Sequence, residues 1–152
     1  MELVIYSLHT VFGALLAGSV IFVAVAVFPA ALSGTIDPDA LGTILTRFIW
    51  LVRAAVLITL VTGGHLAGTL YTADTLTGTE PGYLVLGMLC LWLGVIVVIE
   101  IGTAKAKRGI AENKRRQPIH DARPFFYTGA IFALGLLLTA GILGANRLVG
   151  VF

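Results

Sequence analysis

Long uncharged apolar stretches, separated by short polar segments, dominate the chain. Four of these stretches are long enough to cross about 30 Å of hydrocarbon at about 1.5 Å per helical residue. We predict spans at about residues 3–32, 41–71, 81–103 and 124–146. Consecutive spans joined by short connections run antiparallel. The predicted fold is all-α: an integral membrane four-helix antiparallel bundle that forms a single domain.

Turn and capping residues mark the expected ends of the first two spans. Pro29, Ser33 and Gly34 interrupt the first apolar pattern, so we expect the span to end at about Leu32. Asp37-Pro38 then combines a helix N-cap with a proline at the first helical position. After the second span, residues 72–80 are rich in threonine and glycine, which predicts a polar loop.

Composition supports the membrane class. Hydrophobic residues make up 58% of the chain and charged residues 12%, with a mean hydropathy of +0.99, values far from those of a soluble domain. The partner implied is the lipid bilayer, in a multi-pass protein of the cell membrane, and the net charge of +2 does not imply nucleic-acid binding. The single cysteine, Cys90, excludes an internal disulfide.

The basic residues predict the orientation. Most of them lie between spans three and four: Lys105, Lys107, Arg108, Lys114, Arg115, Arg116 and Arg123. Arg47 and Arg53 lie near the same side, and Arg147 alone lies at the other. Loops rich in lysine and arginine stay in the cytoplasm, so we expect both the N-terminus and the C-terminus outside.

Two histidines are the main candidates for chemistry. His9 lies about six residues inside the start of span one, and His65 about five residues inside the end of span two. Antiparallel spans would bring both rings to one depth in the outer half of the membrane. Such a pair can hold a copper ion or ligate a haem iron, whereas interhelical hydrogen bonding is the ordinary role of intramembrane histidines. Gly63 and Gly64 leave space nearby.

Other candidates extend this site. Met88 in span three reaches a similar depth and is a candidate third copper ligand, although methionines often only fill cores. Arg147 could pair with a haem propionate or act as an interfacial anchor. On the inner side, Arg53 and Glu100 lie at comparable depth, which predicts an intramembrane ion pair.

No phosphate-binding loop, nucleophile elbow or His-Glu-x-x-His motif is present. Any catalysis would depend on a bound cofactor. A structural or assembly subunit without cofactor is the remaining alternative. Stripes of small residues would then pack toward partner membrane subunits or a second copy in a homo-oligomer: Gly13 with Ala17, Gly87 with Gly94, and Gly141 with Ala145.

Several residues of the first hairpin resemble the membrane domain of the copper-resistance D family. They are His9, Gly18, the exit Phe28-Pro29-Ala30-Ala31-Leu32, Arg47-Phe48 and Thr62-Gly63. The resemblance implies a helical bundle that binds copper or takes it up from the outer side. The early histidine is also similar to the membrane protoporphyrinogen oxidase family, which implies a link to haem. That family's lysine near the start of span three has no counterpart at Tyr83, Leu84 and Val85. Copper is therefore the first expectation and haem b the second.

Overall fold

Every element of the computed structural model is helical over the part of the chain that it describes, residues 1–111 and 117–149, with side chains described for 1–109 and 119–145. In chain order the helices are α1 (Glu2–Phe22), a π-helical turn (Val23–Val27), α2 (Phe28–Ser33), α3 (Pro38–Leu70), α4 (Ala73–Gly78), α5 (Glu80–Ala111) and α6 (Gln117–Val149). Four helices are long and apolar enough to cross a membrane: Glu2–Ser33, Pro38–Leu70, Glu80–Gly109 and Ile119–Ala145. The all-α prediction is confirmed.

Neighbouring long helices run antiparallel. Between α3 and α5, Thr59 contacts Trp92 while Arg53 contacts Glu100, so residue numbers rise along one helix as they fall along the other. α1 packs against α3 and α6, and α5 packs against α6 and α3. The four helices therefore form a ring. We call the end that holds the starts of α1 and α5 the terminal end, and the opposite end, which holds α2, the basic end.

The first long helix does not stop at Pro29. Proline lacks the N–H that would bond four residues back, and the π-helical turn just before it shifts the pairing so that Phe28 N–H donates to the carbonyl of Val23. The helix runs on through Ser33 and ends at Gly34, whose φ of 82° suits glycine. The helix end is therefore close to the predicted one at about residue 32 and is marked by Ser33 and Gly34, whereas Pro29 lies inside the helix.

The start of α3 agrees with the sequence prediction, whereas α5 and α6 extend beyond the predicted spans. α3 begins where expected, since the Asp37 side chain accepts a hydrogen bond from the N–H of Asp39 at 2.9 Å. α5 continues past residue 103, and α6 begins at Gln117 with Pro124 inside it. Charged residues exclude these turns from a hydrocarbon layer, but they do not prevent helix formation.

The predicted loop at residues 72–80 contains the short helix α4. Thr72 accepts a hydrogen bond from the N–H of Thr75 at 3.2 Å, and Thr75 Oγ1 accepts one from the N–H of Thr72 at 2.8 Å. This reciprocal pair is a capping box, which satisfies two donors of the first turn. The threonine-rich stretch therefore starts a helix where its composition indicated a loop.

Glycines allow α5 and α6 to approach closely. A side chain on Gly102 would meet Phe125 and Phe126, and one on Gly94 would come within 2.7 Å of the Phe132 ring. This is the small-residue packing typical of membrane helices.

The buried core lies in the basic half of the bundle. Phe126 packs on Phe28 with ring centroids 4.2 Å apart and on Phe48 at 6.0 Å. In contrast, no residue is buried in segments 1–15, 63–81, 83–94 and 134–145. Gly82, between the second and third of these segments, is buried against α4. The terminal half, which contains both candidate histidines, is therefore the loosely packed half.

Candidate functional site

The candidate site lies along the α1–α3 seam at the terminal end. His9 is half-buried there, and its Nδ1 lies 3.0 Å from Thr62 Oγ1. The Thr62 hydroxyl is 2.6 Å from the carbonyl oxygen of Ile58, to which it donates its single hydrogen. Thr62 Oγ1 therefore accepts from His9 Nδ1–H. This network assigns the tautomer in which His9 Nε2 carries a free lone pair.

Gly63 provides the space that the His9 ring occupies. A Cβ on Gly63 would lie 2.7 Å from His9 Cε1 and 3.3 Å from Nδ1. A Cβ on the adjacent Gly64 would meet nothing within 4 Å. The imidazole thus lies against bare α3 backbone, and its orientation is fixed by one hydrogen bond and one close contact.

His65 has a different partner. Its Nε2 lies 3.2 Å from Oε1 of Glu2, at the first residue of α1. Both side chains are open to the surroundings, with 43% of His65 and 63% of Glu2 exposed. This pair forms the outermost layer of the seam.

The two imidazoles occupy successive layers of the seam. His9 is level with Thr62 and Gly63, so His65 lies two to three residues nearer the terminal end, a rise of about 4 Å. Among residues with described side chains, no hydrogen bond reaches His9 Nε2 or His65 Nδ1. Within the same residues, no group of three or more histidine, cysteine, aspartate or glutamate side chains could hold a metal ion. A metal shared by the two rings would need His65 to turn away from Glu2.

Met88 lies at the depth of His9, on α5. Trp92 Nε1 donates to Thr59 Oγ1 at 3.1 Å, which fixes the register of α5 against α3. Met88 is one turn from Trp92 on the same face and is therefore level with Gly63. It is half-buried. α1, which carries His9, packs mainly on α3 and α6. Met88 on α5 therefore lies across the bundle from the α1–α3 seam and not beside it.

Arg53 and Glu100 form a bidentate ion pair. Arg53 Nε donates to Glu100 Oε1 at 2.8 Å, and its Nη2 donates to Oε2 at 2.9 Å. The guanidinium also lies 5.8 Å from the centre of the exposed Trp50 ring. The pair lies on the outer surface of the α3–α5 seam, away from the histidines, and serves to join the two helices.

The remaining candidate residues differ in what the structure shows of their surroundings. The Arg147 side chain lies outside the described residues, so its pairing stays a prediction. Cys90 is exposed. Of the small residues proposed as partner surfaces, Ala17 is buried in the chain's own core and Gly94 faces Phe132, whereas Gly13, Gly87 and Gly141 have nothing within 4 Å of an added Cβ.

Sequence patterns pointed to the histidines but missed their partners. Glu2 and His9 are seven residues apart and share a face of α1, a spacing that could have placed Glu2 at the site. Thr59 and Thr62 share a face of α3 and use their hydroxyls alike: each donates to its own helix and accepts from a ring N–H of a neighbouring helix. That double use depends on helix register, which no local pattern specifies.

No protein-family model, curated protein or solved structure matches this chain.

Proposed function

We propose that this chain is a multi-pass protein of the cell membrane that binds copper from the outer side, with His9 as its principal ligand. The orientation, with both termini outside, is supported by the basic residues. The depth of the bundle in the bilayer is supported by aromatic residues near its two ends. From the exposed Trp50 to the half-buried Tyr71, just after α3, the chain rises about 32 Å, close to the thickness of the hydrocarbon. Tyr6 and Tyr83 are exposed at the terminal end.

The orientation of His9 is the observation that carries the copper proposal. Metal-ligating histidines usually donate the N–H of their second nitrogen to a neighbouring acceptor, which fixes the ring and raises its basicity. Thr62 is such an acceptor for Nδ1–H, and Gly63 holds the ring in place. His9 Nε2 is left free as the donor atom, in a half-buried position that limits competition from water.

Charge favours a metal cation over haem. Nine of the ten lysines and arginines lie in residues 47–123, which leaves only Arg147 near the terminal end, whereas Glu2, Asp74 and Glu80 all lie there. Two haem propionates would add negative charge beside these carboxylates, and a cation would be attracted by them. Haem b is the alternative, and the absorption spectrum of the haem-treated protein distinguishes it from copper.

The second and third ligands proposed are His65 and Met88. His65 is exposed, so its side chain can exchange Glu2 for a metal. Met88 is level with His9 and offers a thioether, a ligand suited to Cu(I). Among the divalent first-row metals, nitrogen donors bind Cu²⁺ most tightly, and a thioether sulfur favours Cu(I).

Absorption and elemental analysis of one preparation test this function. The full chain is purified in detergent, divided, and loaded with copper or with haem. We expect about one copper per chain after desalting and no Soret band in the haem-treated sample. A Soret band with sharp reduced α and β bands and bound iron would replace copper by haem. Retention of neither would favour the structural-subunit alternative.

A further inference from the structure

Glu2 is a donor group that the copper site proposed above does not use, and it contacts His65, which that site does use. Their Oε1 and Nε2 atoms are 3.2 Å apart. Two ligands bound to one metal at about 2.0–2.2 Å are separated by about 2.9 Å at a right angle and about 3.4 Å at the tetrahedral angle. The observed separation therefore matches one edge of a metal coordination shell, without movement of either helix.

The position of this pair is that of a first contact for an incoming ion. Glu2 and His65 are exposed at the outermost layer of the α1–α3 seam, and His9 lies roughly one turn deeper along the same seam. An ion that enters from the terminal end would meet the carboxylate and imidazole first. Exposure leaves its remaining coordination positions to water, so binding there would be weak and exchange fast.

We propose that Glu2 and His65 are a capture site for Cu²⁺, which passes the ion to His9. This inference rests on the proposed function. The transfer is a ligand exchange: the bond from copper to Glu2 Oε1 breaks as the bond to His9 Nε2 forms, and no electron moves. His65 takes part in both states because it can stay bound while the carboxylate is replaced.

The rate of copper loading tests the capture site. In a Trp50→Phe background, Trp92 is the single tryptophan and lies one hydrogen bond from α3 close to His9, so its quenching by Cu²⁺ follows occupation of the deeper site. We expect Glu2→Gln to slow loading at limiting Cu²⁺ at least tenfold and to leave the final copper content unchanged. Glu80→Gln removes a charge at the same end but no ligand, so it should slow loading far less than Glu2→Gln.

Equal loading rates in Glu2→Gln and Glu80→Gln would overturn the capture site. A second measurement isolates it: with His9→Ala, a weakly held Cu²⁺ should remain, and adding Glu2→Gln should lower its affinity at least tenfold. Unchanged affinity in the double variant would also overturn the proposal. Failure of the copper function is distinguishable, because the unsubstituted chain would then retain no copper at all.

Discussion

At the residue scale, His9 owes its geometry to two α3 residues without charge. Thr62 accepts its Nδ1–H, and the absent side chain of Gly63 makes room for the ring. The sequence made His9 a candidate, because an imidazole in a long apolar segment is uncommon. It was insufficient to identify the partners, since threonine and glycine are ordinary residues of membrane helices and only the register of α1 against α3 makes these two special.

Removing the acceptor for His9 should weaken copper binding without removing a ligand. For Thr62→Val, which keeps the side-chain shape, we expect a 10- to 100-fold loss of copper affinity, the usual effect of losing a partner of a metal-ligating histidine. The Thr139 hydroxyl donates to carbonyls of its own helix, so Thr139→Val is the matched control. Affinities come from competition with a chelator, and equal values in both variants would contradict the role of Thr62.

A methyl group on Gly63 should displace the His9 ring. The added Cβ would be 2.7 Å from Cε1, closer than real contacts allow, whereas the same change at Gly64 meets nothing within 4 Å. We expect Gly63→Ala to lower copper affinity at least tenfold, and Gly64→Ala to leave it unchanged. Equilibrium titration with Cu²⁺ measures both. Unaltered binding in Gly63→Ala would show that the ring orientation does not matter.

At the scale of elements, hydrophobic runs predicted four long helices correctly, and the helices extend beyond some of the predicted apolar spans. Pro29 lies within a continuous helix because the π-helical turn accommodates it, and Pro124 lies within α6. The loss of apolar residues marks where a helix can leave the hydrocarbon layer, and the helix itself continues beyond that point. The ion pair of Arg53 with Glu100 was predictable, because residues at equal depth on two antiparallel helices lie side by side.

The Arg53–Glu100 pair should tolerate reversal better than loss. Arg53→Ala or Glu100→Ala leaves one charge without its partner near the membrane, so each should lower the thermal midpoint in detergent or lipid nanodiscs. The double variant Arg53→Glu with Glu100→Arg restores an opposite pair and should recover part of that loss. Equal midpoints for the single variants and the unsubstituted chain would mean that the pair contributes nothing to stability.

Close approach of α5 and α6 should depend on Gly102. Its added Cβ would meet Phe125 Cβ at 2.9 Å, while one on Gly87 meets nothing within 4 Å. Overpacking costs about 1–3 kcal/mol, and alanine gains about 1 kcal/mol of helix propensity over glycine. Gly102→Ala should therefore be less stable than Gly87→Ala in denaturation by sodium dodecyl sulfate. The reverse order would contradict the α5–α6 contact.

At the scale of the whole molecule, the buried core and the candidate site occupy opposite halves of the bundle. Phe28, Phe48 and Phe126 pack the basic half, and His9 and His65 lie in the loosely packed terminal half. If the proposed copper site is correct, such a division would let the metal exchange at one end without disturbing the contacts that hold the helices together. Sequence alone predicted the bundle but not this division, because all four spans are similarly apolar along their length.

Topology is tested by cysteine labelling in intact cells. In a Cys90→Ala background, a cysteine at Thr75 should react with an impermeant maleimide, and one at Lys107 should react only after the membrane is opened. This follows from the retention of basic segments in the cytoplasm. Labelling in the opposite order would move His9 and His65 to the cytoplasmic half and exclude copper binding from outside.

Copper content of His9→Ala tests the central claim most directly. His120→Ala is the matched control, because His120 is an exposed histidine on α6, far from the seam, with 75% of its side chain accessible. After loading and desalting, we predict about one copper per chain in the unsubstituted protein and in His120→Ala, and none in His9→Ala. Full copper content in His9→Ala, with the bundle still folded, would contradict the account.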